Sequence, residues 1–224
     1  MTFCKKMDSN KINERLSRLA ERNTTLEYLY NLESSVDDSV IENLVVIIGN
    51  PDSVDNTNSF ATLLVDLNDE DFIPSLIASI SKAVPGESKW LADFMYALIE
   101  LLGELEDYYR AEDSFVHLLG GWMFSTGGGE ISWKSSGILS EIQNDATREY
   151  YIRGAVDVEL FHQTRITCLR GAVNHYQDGV TELLAELITD SDANVSEAAR
   201  DARAHLTGQK EAEQAGADDA EEAF

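Results

Sequence analysis

Apolar residues recur along this chain at the spacing of one helix face, and that spacing restricts the folds open to it. Val180, Leu183, Leu184, Leu187 and Ile188 stand at i, i+3, i+4, i+7 and i+8, which in a 3.6-residue helix is a single stripe. Trp90, Phe94, Ala97, Leu98 and Leu101 form a second stripe. Val195, Ala198, Ala199, Ala202 and Leu206 form a third, with small residues that let helices approach closely. Three prolines (Pro51, Pro74 and Pro85) are the only ones in 224 residues, so long helices meet few interruptions. The pattern predicts an all-α protein.

Start and stop signals divide the stripes. Ser39-Val40-Ile41-Glu42 has the form of a capping box, and Gly49 with Pro51 closes that helix. Asn194 with Glu197 marks another start, and Gly208 a stop. The predicted helices span 10–22, 25–33, 38–48, 57–67, 71–83, 87–103, 106–119, 130–143, 147–158, 163–175, 178–189 and 194–206. Residues 1–207 are expected to form one helical domain. Residues 208–224 carry six acids, one Lys and no aliphatic residue larger than Ala, and are expected to be a disordered acidic tail.

The end of the chain has an internal order: an apolar helix from Gly179 to Thr189, the loop Asp190-Ser191-Asp192-Ala193-Asn194, then an Ala-rich helix ending in Leu206-Thr207-Gly208. A shift of 30 residues sets Cys168–Tyr176 on Ala198–Leu206, matching Arg170 to Arg200, Ala172 to Ala202 and His175 to His205. Phe72 to Gly103 looks like a similar helix pair turning at Val84-Pro85-Gly86. This order resembles a HEAT-type repeat, which implies antiparallel helix pairs stacked into a solenoid, although the shift is shorter than the usual period of about 40. An irregular helical bundle is the alternative.

Catalytic and metal signatures are sparse. Gly128, Lys134 and Ser135 fall where a phosphate-binding loop has its first Gly, Lys and Ser, but Trp133 occupies the second Gly position. A side chain there obstructs the wrap around phosphate, so Gly127–Ser136 is expected to be an interhelical loop. Asp157, Glu159 and His162 are close in sequence, but a helix turns Asp157 and Glu159 to different sides. No metal, cofactor or catalytic residue is expected, and the chain is not expected to be an enzyme. Cys4 and Cys168 offer no disulfide framework or CxxC pair, and Cys168 is expected to be a buried small hydrophobe. With no secretory signal and no long apolar run, the expected location is the cytoplasm.

Charge is the main functional clue. The formal net charge is -24, which disfavours direct contact with nucleic acid or an anionic membrane. From Asn23 to Ser81 eleven acids occur without one Lys, Arg or His. Such unbalanced surface opposes the compact state through self-repulsion and attracts cations, pointing to a basic protein partner or to a high-salt environment. Acidity, size and helical character resemble the immunity proteins of bacterial toxin delivery systems, which bind a cognate toxin domain and cover its active site. That resemblance implies that Asp66, Asp69, Glu70, Asp71, Glu104, Glu106 and Asp107 meet the basic groove of the partner, with Trp122 and Trp133 as anchors. A HEAT-like scaffold or adaptor for other proteins is the alternative function.

Overall fold

The computed structural model describes residues 38–125, 129–176 and 179–221, with side chains described between 41 and 207. The helices expected at 10–22 and 25–33 lie outside the described residues. The order is α1 (Asp38–Ile48), a 3-10 turn (Pro51–Ser53), α2 (Thr57–Leu67), α3 (Phe72–Ile80), α4 (Leu91–Gly103), β1 (Tyr109–Arg110), α5 (Asp113–Ser125), α6 (Glu130–Ser140), β2 (Ile142–Gln143), α7 (Thr147–Val156), α8 (His162–His175), α9 (Val180–Leu187) and α10 (Ala193–Glu221). Among the described residues this is an all-α protein with one minimal strand pair.

Local chemistry accounts for the boundaries. Asn56 caps α2, its side chain accepting the Ser59 N–H at 3.0 Å. Asn68 ends the same helix in the left-handed region at φ 46°, its N–H returning to the Leu64 and Val65 carbonyls. Three expectations shift. The helix expected at 106–119 begins at Asp113, because Tyr109 and Arg110 are drawn into pairing with Ile142 and Gln143. That same pairing truncates the helix expected at 130–143, which ends at Ser140. α10 continues as helical backbone past Gly208 to Glu221, beyond the stop expected at Gly208. Lys210, Glu211, Ala212, Glu213, Gln214 and Ala215 are strong helix formers, and one interior Gly opposes them by only about 1 kcal/mol.

The helices stack in two rows. α2, α4, α6, α8 and α10 pack in succession, and opposite them α1 packs on α3, α5 on α7 and α7 on α9. α3 packs on α4, α5 on α6, α7 on α8 and α9 on α10, so from α3 onward each odd helix lies against the even helix that follows it. Hydrogen bonds fix the directions. Ser132 Oγ donates to the Met123 carbonyl at 2.7 Å, Arg165 Nε to Ala155 at 3.0 Å, and Ser196 Oγ to Ile188 at 2.6 Å. In three consecutive pairs, then, the first turn of the even helix satisfies a carbonyl at the end of the odd one, which makes each pair antiparallel.

Along a row the helices run parallel. Ser79 Oγ donates to the Ile48 carbonyl at 2.7 Å, joining the C-terminal ends of α3 and α1. Lys134 Nζ reaches the Ala92 carbonyl at 2.8 Å, joining the N-terminal turns of α6 and α4. The parallel β1–β2 pairing follows from the same stacking. Tyr109 lies opposite Ile142 and Arg110 opposite Gln143, each 33 residues on, at equivalent connections of successive pairs. The last three odd helices begin 33–34 residues apart and the last three even helices 31–32 apart. α8 and α10, which the sequence shift aligns, are therefore equivalent members of the even row.

A continuous apolar core runs between the rows from Ile41 to Ala199. The α7–α8 contact is one of its closest approaches. A Cβ at Gly171 would lie 2.6 Å from the Tyr151 ring, and one at Gly154 would lie 2.6 Å from Cys168 Sγ.

Candidate functional site

α2 and α4 are parallel neighbours, because Thr57 Oγ1 at the start of α2 donates to Asp93 near the start of α4. Their C-terminal ends must therefore adjoin. Asp66 lies in the last turn of α2, Asp69 and Glu70 in the connection, and Asp71 at the N-cap of α3. Glu100 lies in the last turn of α4, with Glu104 as its C-cap, and Glu106 and Asp107 follow. The fold thus brings the two acidic groups singled out in the sequence to one end of the stack. All are exposed except Asp69, which is half-buried.

Local structure explains only some of these carboxylates. Asp71 stands at a helix N-terminus, where negative charge is favoured, and Asp69 Oδ1 accepts the Asp71 N–H at 2.9 Å. Asp66, Glu100 and Glu104 sit at helix C-termini, the wrong end of the dipole. Neither helix has a basic residue in its last turn. Each such placement costs about 0.3–1 kcal/mol at low salt.

The two tryptophans separate. Trp122 belongs to the core at 8% exposure, so the anchor role expected for it does not fit its burial. Trp133, on α6, is 44% exposed. It lies one turn before Gly137, whose α-carbon faces Ile99 of α4, so both belong to the α6 face turned toward α4.

Beside that seam are residues the sequence analysis passed over. Tyr96 of α4 is 37% exposed. Burial raises the ionisation of its phenol above the usual range, and the negative charges of Glu100 and Asp66 raise it further. Glu100 follows Tyr96 by four residues and shares its helix face, while Asp66 comes from α2. Lys134 Nζ lies 5.8 Å from the Tyr96 ring centroid and 2.9 Å from Glu130. The i, i+4 spacing of Tyr96 and Glu100 was a legible signal, but Asp66 joins them only through helix packing.

Further along the even row, α8 and α10 enclose a groove of about 450 Å³. Ile166, Val173 and Ala198 line it, with Arg170, Asp201 and His205 among the polar groups.

The remaining candidates are buried or have structural partners. Lys134 and Ser135, the phosphate-loop matches, are buried within α6; Gly127 and Gly128 lie outside the described residues. Asp157 Oδ1 accepts the Glu159 N–H at 3.1 Å, and His162 Nδ1 lies 3.9 Å from Asp192. Among the described residues no group of three or more His, Cys, Asp or Glu is placed to hold a metal ion. Cys168 is buried, which pushes its thiol up to about 12. No described helix is long and apolar enough to cross a membrane.

Two rows of antiparallel helix pairs, with carboxylates at one end and an aromatic seam on the even row, define the class: an all-α protein compatible with a helical-repeat fold. The chain matches no family model, no curated protein and no solved structure.

Proposed function

We propose that the chain is a binding protein for a cationic protein partner, engaged through the carboxylates at the adjoining ends of α2 and α4. The supporting observation is their position. Asp66, Glu100 and Glu104 oppose the dipoles of their own helices, and a positive partner surface would relieve that opposition. In its finer form, the partner is a bacterial toxin domain, and the chain is a cytoplasmic immunity protein that covers the basic groove of its active site. Close charge pairs at such interfaces couple by roughly 1.5–7 kcal/mol, enough to support tight inhibition.

The test is capture of the partner from the source cells, followed by association kinetics with the triple variant Asp66→Lys, Glu104→Lys, Asp107→Lys. The expected result is a basic partner whose association slows by about tenfold or more at low salt, with helicity unchanged. A partner without excess positive charge, or an unchanged rate, rejects the reading. The finer form adds that the partner alone arrests growth and that co-expression of the wild-type chain, but not the triple variant, restores it. The groove between α8 and α10 favours a second reading, a scaffold that holds a peptide of another protein; it predicts binding with little salt dependence.

A further inference from the structure

We infer that the α2–α4–α6 face is a docking surface for an arginine-bearing segment of the partner, with Tyr96 as the platform on which a guanidinium stacks. This rests on the cationic-partner reading and adds a place, a geometry and a side-chain class to it.

Three observations converge on the seam. Tyr96 and Trp133 are large aromatics left partly in solvent on neighbouring helices of one row. The Tyr96 ring already receives one internal cation, Lys134 Nζ at 5.8 Å. Glu100 shares the Tyr96 helix face, and Asp66 lies near enough on α2 to act on the phenol electrostatically. An aromatic face beside two carboxylates matches a planar cation, which can stack on the ring and donate a fork of N–H groups to the acids. An ammonium presents no such plane, and Lys134 is already committed to the Ala92 carbonyl and Glu130. Charge complementarity therefore calls for a cation on this face, and the planar stacking geometry selects Arg. The carboxylates at the chain's α2 and α4 ends would steer it in, and the ring would retain it.

The full chain is titrated with a blocked octapeptide alternating Arg and Ser, and with its Lys–Ser and Glu–Ser counterparts. Tryptophan emission gives the readout, since Trp90 and Trp122 are buried and Trp133 is not; Trp133→Phe should remove the signal while calorimetry still detects binding. The Arg peptide should bind about fivefold or more tighter than the Lys peptide, and the Glu peptide should not bind. Tyr96→Leu should weaken the Arg peptide by about tenfold and the Lys peptide less, while Tyr96→Phe keeps the preference. Thermal melting of each variant shows that it is folded.

Equal binding of Arg and Lys peptides, or a Tyr96→Leu variant that binds like the wild type, overturns the inference. If Tyr96→Leu is silent while the Asp66, Glu104, Asp107 triple variant abolishes binding, the face is rejected and the carboxylate-end reading stands. If Tyr96→Leu and the triple variant both leave binding intact, both are rejected. If Tyr96 governs the Arg preference but the captured partner carries no excess positive charge, the Arg-binding face stands and the reading falls.

Discussion

Arg165 joins the last two helix pairs. Its guanidinium is 3% exposed and pairs with Asp190, whose side chain is 10% exposed, while its Nε donates to the Ala155 carbonyl at 3.0 Å. One residue of α8 thereby holds the end of α7 and the loop after α9. The hydrogen bonds from Arg165 hold the Asp190 carboxyl below the usual carboxylate range, against a desolvation that alone would raise it. Because the folded value is depressed, the stabilisation is fully present above the unfolded value of about 3.9. It is lost as pH falls through the folded value. Asp190→Asn strands a buried guanidinium, and should destabilise the fold by about 3 kcal/mol at pH 7. Denaturant titrations of both proteins should show that difference shrinking below about pH 4; a constant difference would deny the pair its role. In the sequence Asp190 was legible only as a loop residue, since 25 positions separate it from Arg165.

At the scale of the element, the α7–α8 contact depends on what α8 lacks. Gly171 faces Tyr151, whose ring is fully buried and whose hydroxyl donates to the Leu139 carbonyl of α6. A methyl group at 171 would overlap the ring, although Ala favours an isolated helix by about 1 kcal/mol over Gly. Gly171→Ala should therefore destabilise by about 1–3 kcal/mol, read as a lower urea midpoint at unchanged slope. A stabilised variant would mean that Tyr151 moves aside freely. Helix propensity and tertiary packing pull in opposite directions here, and only the contact decides the sign. The same contrast separates the expectations for α8 and α5. The periodicity and length of α8 emerged nearly intact at His162–His175, whereas α5 begins seven residues later than expected, at Asp113 rather than at residue 106. Tyr109 and Arg110 gain their strand partners from residues 33 positions away, which no local window contains.

For the whole molecule the governing quantity is the formal net charge of -24. Its carboxylates repel across distances that salt can screen, since the Debye length falls from about 30 Å at 0.01 M to about 3 Å at 1 M. The melting temperature should therefore rise as sodium chloride is added over that range. The triple variant Asp66→Lys, Glu104→Lys, Asp107→Lys should begin higher at low salt and gain less. A melting temperature indifferent to salt would mean that the acidic end carries no strain, and would remove the energetic motive for a cationic partner.

The sequence by itself determined the all-α class and most helix positions after residue 37. Each of these rests on periodicity, caps and composition within about one helix length. It also singled out Asp66, Asp69, Glu70, Asp71, Glu104, Glu106 and Asp107, because charge imbalance is visible without coordinates. Only the tertiary structure decided that these acids share one end, that Trp122 faces the core while Trp133 faces solvent, and that Asp66 joins Glu100 in acting on Tyr96. Those facts depend on parallel stacking along the even row, fixed by contacts such as Thr57 with Asp93 and Lys134 with Ala92, and helix periodicity carries no information about which neighbour a face will meet.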